Sequence, residues 1–154
     1  MAETTPCDVW FYHLERSGLD QVLPELLDKT LGRGWRALVR STQRERLEQL
    51  DGWLWSYRDE AFLPHGLADE PMADRQPVLL TVSQDNPNKA DALFLIDGAD
   101  PGDLTGFQRC LLLFDGRDDL ALAAARERWR TIKQAGHPVS YWREKLDKGW
   151  EKQA

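Results

Sequence analysis

Cysteine is scarce in this chain of 154 residues: Cys7 and Cys110 are the only two. A redox pair or a thiolate metal site calls for a CxxC spacing or a cluster with histidines, and neither is present. Each cysteine adjoins an apolar, strand-like run, where a reduced thiol behaves as a small buried hydrophobe, so two free thiols in a reducing compartment are expected. Long hydrophobic runs are also missing. Those present, such as Leu111 to Phe114, fall far short of the roughly 20 residues of a membrane span. The start, Met1-Ala2-Glu3-Thr4-Thr5-Pro6, has neither the basic nor the apolar part of a secretory signal, so a cytoplasmic protein is expected.

Excess basic charge is lacking too. A net charge of −6 argues against a general nucleic-acid binder, which gains most of its affinity by neutralising phosphates. The charge is unevenly spread. Asp59 to Asp103 holds ten acidic residues against Arg75 and Lys89, whereas Arg126 to Lys152 holds eight basic residues against four acidic ones. A locally basic segment on an acidic protein suits a confined anionic partner. Glycine is sparse where a nucleotide-binding fold needs it. The turn after the first apolar run reads His13-Leu14-Glu15-Arg16-Ser17-Gly18, which cannot make a GxGxxG or GxxxxGK cradle. The three histidines, His13, His65 and His137, have no ligand spacing, and no serine sits in a GxSxG elbow. No metal, cofactor or catalytic residue is assigned.

What is present is a folding pattern. Apolar residues make up 42% of the chain and charged residues 30%, ordinary values for one globular domain. Asp8 to Leu14 (DVWFYHL) reads as a buried strand. Ser17 stands as the N-cap of a helix carrying Leu19, Val22, Leu23, Leu26, Leu27 and Leu31, with Gly32 and Gly34 as its stop. Trp35 to Arg40 is a strand, and Ser41-Thr42 caps a helix over Gln43 to Leu54. Val78 to Val82, Ala92 to Ile96 and Arg109 to Phe114 are further strands, followed by a helix over Asp118 to Gln134. At the start of that helix the Asp118-Asp119 pair is expected to stabilise the helix end. The alternation predicts an α/β protein in three layers, a mostly parallel sheet with helices on both faces. Residues 1–142 are expected to form the single domain and 143–154 a C-terminal amphipathic extension, and Ser140 to Ala154 reads as a final amphipathic stretch, a helix broken at Gly149.

Two constellations rise above this background. On the last long helix, Arg126, Arg130 and Lys133 fall at i, i+4 and i+7 with Trp129 among them, a cationic stripe beside an indole. Such a stripe can hold a short acidic peptide whose apolar side chain packs on the ring. The plain alternative is a solvated helix face with the tryptophan turned inward. The second constellation, Trp53, Trp55, Tyr57, Phe62, Leu63, Pro64 and His65, is more aromatic than one short loop can bury. Tryptophan and tyrosine commonly anchor interfaces.

At these places the chain resembles the chi subunit of bacterial DNA polymerase III. The resemblance rests on Phe11, Tyr12 and Leu14; on Arg46, Leu47, Leu54 and Trp55; on the block Phe62-Leu63-Pro64-His65 with Leu67; and on Ala125 to Trp129 followed by Ala135-Gly136. It implies a mononucleotide-binding type of fold without its nucleotide site, and a non-catalytic accessory role in the clamp-loader assembly. It also implies two partners: the acidic, phenylalanine-ended tail of single-stranded-DNA-binding protein, and the psi subunit. A repair helicase could share the psi side, and DNA would be met only indirectly. By position, Arg126, Trp129, Arg130 and Lys133 match the tail-binding helix, and Trp55, Phe62 and Leu67 match the psi-facing surface. The chain differs from the family pattern in having Trp129 where tyrosine is common, in exchanging lysine and arginine between 130 and 133, and in a longer tail from Arg143. The competing readings are an α/β enzyme or nucleotide-binding protein on the same scaffold, and a direct binder of single-stranded DNA.

Overall fold

A computed structural model describes residues 7–56, 65–145 and 149–153. Eight strands form one sheet: β1 (Asp8–Leu14), β2 (Ala37–Arg40), β3 (His65–Leu67), β4 (Val78–Thr81), β5 (Ala92–Leu95), β6 (Arg109–Asp115), β7 (Val139–Glu144) and β8 (Trp150–Lys152). Their order is β3-β4-β2-β5-β6-β1-β7-β8, with every pairing parallel except the antiparallel β7–β8. The helices are α1 (Leu19–Gly32), α2 (Arg44–Ser56) and α3 (Asp119–Gln134).

The central strands β2, β4 and β5 are buried at every position, which is why their sequences are continuous apolar runs and not alternating ones. Alternate side chains feed two cores. Val39 and Phe94 meet Leu23 and Leu27 of α1 and Leu47, Leu50 and Leu54 of α2 on one face. Leu38, Leu93, Phe11 and Cys110 meet Ala125 and Ile132 of α3 on the other. This is the three-layer α/β arrangement. Both cysteines lie in the second core, and burial, with Asp8 adding to it, pushes the Cys7 thiol up to about 12. Among the described residues, no helix is long and apolar enough to cross a membrane.

Two sequence expectations give way, and one strand was unforeseen. The stretch read as a broken helix after residue 140 is a strand pair instead: Gly149 lies just before β8 at φ +85°, and Trp142 pairs with Lys152. The reason is aromatic packing at a period of two. Trp142 stacks on Trp10 at 5.1 Å between centroids and Trp150 meets Tyr12 edge-on at 4.8 Å, so β7 and β8 add a small core to a sheet face. Residues 143 and 144 therefore belong to a sheet strand. The cap of α1 is Gly18, not Ser17; the Ser17 hydroxyl donates instead to Glu144 Oε2 at 2.8 Å. Finally, β3 was not expected at all, because His65-Gly66-Leu67 is too short to show a pattern.

Arg40, at the end of β2, is 1% exposed. Its guanidinium donates to the carbonyls of Ser83, Gln84 and Pro101 at 2.8, 3.1 and 3.0 Å, pinning two loops at the C-terminal edge of the sheet. Burial lowers its pKa from the usual arginine value, yet the carbonyl cage suits the charged form.

Candidate functional site

Helix α3 begins where Asp118 caps it, its Oδ1 accepting from the N–H of Leu120 at 3.0 Å and of Ala121 at 3.3 Å. Ala125 and Ile132 face the sheet and are buried, which fixes the rotation of the helix. That rotation puts Arg126, Arg130 and Lys133 outward and leaves Trp129 at the boundary. Trp129 is half-buried, its ring edge-on to Phe11 at 5.3 Å and to Tyr141 at 5.9 Å. Arg126, Trp129, Arg130, Lys133, Gln134 and Tyr141 line one open groove of about 760 Å³. The four residues singled out on this helix thus come together, with an aromatic floor and a cationic wall. Arg130 lies 3.4 Å from Glu127 in an exposed pair; among the described residues, no carboxylate pairs with Arg126 or Lys133.

Tyr141 was not singled out in the sequence. Its signal is weak but present: in Val139-Ser140-Tyr141-Trp142 a period of two places Tyr141 beneath α3 and Trp142 on the opposite face. Its hydroxyl lies 2.5 Å from Nδ1 of His13. Burial raises the phenol above its usual range, and Arg143 and Arg126 oppose that rise.

The second constellation is only partly described. Leu54 is buried in the core, and Trp53 is 39% exposed with its Nε1 donating to the Asp20 carbonyl. His65 lies buried beside Asp51 at 3.0 Å. Trp55 lies in α2; Phe62 falls outside the described residues. Leu67 ends β3, half-buried and in register with Leu80, at the edge strand where Arg44 of α2 pairs with Asp69 at 2.6 Å.

The crevice at the C-terminal ends of β1 and β6 is where an open α/β sheet holds nucleotides, since these neighbouring strands send their helices to opposite faces. Its volume is about 560 Å³. Phosphate binding at such a place relies on backbone N–H groups, and those of the Glu15–Ser17 turn beside the crevice are already occupied. The N–H groups of Glu15, Arg16 and Ser17 converge on Glu144 Oε1 at 2.9, 3.0 and 3.0 Å. Burial pushes the Glu144 carboxyl up, but these bonds and the Ser17 hydroxyl outweigh it and hold the group at about 2. Around the crevice, Arg117 is paired with Asp115 at 2.8 Å and Arg46 with Asp97 at 3.7 Å. The crevice lining also sets Asp20, Asp97, Asp115 and Asp118 beside Arg46, Arg117 and Arg128, a balance that disfavours an added phosphate.

The family model described as DNA polymerase III chi subunit, HolC, matches residues 7–140. The chain belongs to the chi-subunit family of DNA polymerase III. A Pseudomonas aeruginosa protein named DNA polymerase III subunit chi is 31% identical over 119 residues, covering 77% of this chain and 82% of that protein. A Rickettsia prowazekii protein, described as a probable DNA polymerase III subunit chi, is 28% identical over 89 residues, covering 58% of this chain and 54% of its own length. The matched span includes the α3 residues of the groove, Arg126, Trp129, Arg130 and Lys133, and stops just short of Tyr141 and Glu144.

Proposed function

We propose that this chi-family chain is a non-catalytic accessory subunit of the DNA polymerase III clamp-loader assembly in the bacterial cytoplasm. In this reading it tethers the polymerase to single-stranded-DNA-binding protein by holding that protein's acidic C-terminal tail in the α3 groove. The observation that carries the reading is the groove itself, in which Arg126, Arg130 and Lys133 surround the exposed part of Trp129 and adjoin Tyr141. A chain end that is both acidic and aromatic meets a guanidinium and ammonium wall for its carboxylates and an indole surface for its ring. The occupied N–H groups of the Glu15–Ser17 turn and the carboxylates lining the crevice weigh against the nucleotide reading.

The second partner, the psi subunit, is assigned to the surface of Trp55, Phe62 and Leu67, which a repair helicase could also use. Leu67 lies on β3, six strand spacings from β7 under the groove, or roughly 29 Å at about 4.8 Å per spacing. That separation supports a bridge, since two ligands at the two places would not collide. Holding a disordered tail raises the local concentration of the polymerase assembly at the coated strand, even where a single contact is weak.

Calorimetry with an acidic tail peptide tests the groove. Arg126→Ala should weaken binding by at least about tenfold, the scale of one lost charge-assisted contact, with unchanged circular dichroism. Equal affinity for the variant and the parent chain would remove the site.

A further inference from the structure

We propose that Tyr141 is the hydroxyl donor of the α3 groove, and that His13 decides whether that hydroxyl turns inward to the imidazole or outward to a bound carboxylate. The inference rests on the groove receiving an acidic chain end, and adds to it a residue pair and a condition for tight binding.

His13 is 8% exposed, and its imidazole sits between Phe114, at 5.1 Å, and Tyr141, at 5.8 Å between ring centroids. It presses against Gly116, where a Cβ would run into the ring, so only glycine leaves room for this placement. Nε2 faces Glu15 Oε1 at 3.4 Å, and Glu15 is itself held by Arg143. The carboxylate at Nε2 favours the tautomer with its proton there, which leaves Nδ1 as an acceptor. At 2.5 Å the hydroxyl of Tyr141 then donates to Nδ1, and its oxygen offers only lone pairs elsewhere. An oxygen in that state repels a carboxylate in the groove.

Protonation of His13 inverts this bond. Nδ1–H becomes the donor, the tyrosine oxygen accepts, and the hydroxyl proton is released to turn toward the groove that Tyr141 lines with Arg126. The charged groups around His13 are Glu15 beyond the end of its own strand, Arg143 on β7, Arg126 on α3 and Asp115 on β6. Burial holds His13 below the ordinary histidine range, with Glu15 opposing and the two arginines adding to the effect. The neutral form therefore prevails at neutral pH. A carboxylate bound beside Arg126 offsets that arginine's repulsion and favours the protonated form, so ligand and proton bind cooperatively.

Calorimetry with the acidic tail peptide at about pH 7.5 and about pH 5.5 tests this on four chains: the parent, Tyr141→Phe, His13→Gln and Arg126→Ala. The parent should bind on the order of fivefold more tightly at the lower pH, the scale of one added hydrogen bond to a charged group. Tyr141→Phe, which keeps the ring, and His13→Gln should each lose most of that gain. A gain of full size in Tyr141→Phe would show that His13 acts only through its charge and would overturn the inference. A parent chain with no pH response, alongside an Arg126→Ala variant that fails to bind, would also overturn it while leaving the groove intact. If Arg126→Ala binds like the parent, the groove assignment falls, and this inference falls with it.

Discussion

Glu144 does at a single position what a nucleotide phosphate does in related architectures: it satisfies three successive N–H groups at the end of β1. Its carboxyl is held at about 2 against an ordinary 4.5, so its ionised form is favoured by folding. The stabilisation is complete above the unfolded value near 4.5 and is lost as pH falls toward 2. Glu144→Gln should lower stability by roughly 1–3 kcal/mol at neutral pH, the usual cost of weakening a charge-assisted network. The variant's stability curve should be flatter than the parent's between pH 4.5 and 2. Urea titrations across that window check both, and parallel curves for the two chains would remove Glu144 from the account. None of this was legible in the sequence. Glutamate at 144 and serine at 17 are 127 positions apart, and only the β1–β7 pairing brings them together.

Among the elements, the parts with strong periodicity were read well and the parts held by distant partners were not. The leucine spacing of α1 and α2 and the apolar runs of β2, β4, β5 and β6 located most of the sheet. The stripe on α3 was visible because i, i+4 spacing alone places Arg126 and Arg130 together, while its floor was not, since Tyr141 comes from a strand taken for a helix. The β7–β8 pair was misread because the six residues of β7, Val139 to Glu144, carry both polar and aromatic groups. Its alternation becomes clear only beside Trp10 and Tyr12, which supply the contacts. Arg40 was taken as the end of a strand, and the carbonyl cage that buries it is built from two loops with no motif. The aromatic layer on β7 and β8 makes its own prediction. Trp150→Ser removes the edge contact with Tyr12 and should cost about 2 kcal/mol, as for a half-buried large aromatic residue. Because this layer faces away from α3, tail-peptide affinity should stay within about twofold. Thermal unfolding and calorimetry on the same variant measure the two effects, and a joint loss would mean that the faces are coupled.

For the molecule as a whole, a sheet with the α3 groove toward one side and β3 at the opposite edge suits a connector. If the two assigned surfaces act separately, damage to one spares the other. Leu67→Glu, placing a charge on a half-buried edge-strand position, should weaken capture of the psi subunit by tenfold or more, about the effect of desolvating an unpaired charge. It should leave tail-peptide affinity within about twofold, since the sites are well beyond the range over which substitutions usually couple. Co-purification with psi and peptide calorimetry on this one variant test the separation; a variant that loses both would argue for a single continuous interface.

The internal carboxylate at the end of β1 has a further consequence for a protein surrounded by metabolites. Living cells carry nucleoside triphosphates and free phosphate at high concentration, and an open cradle of N–H groups would fill and empty with them. With Glu144 covalently part of the chain, that cradle faces an anion whose effective concentration no metabolite can match. The turn after β1 therefore has its N–H groups satisfied from within the chain and needs no metabolite to hold its shape.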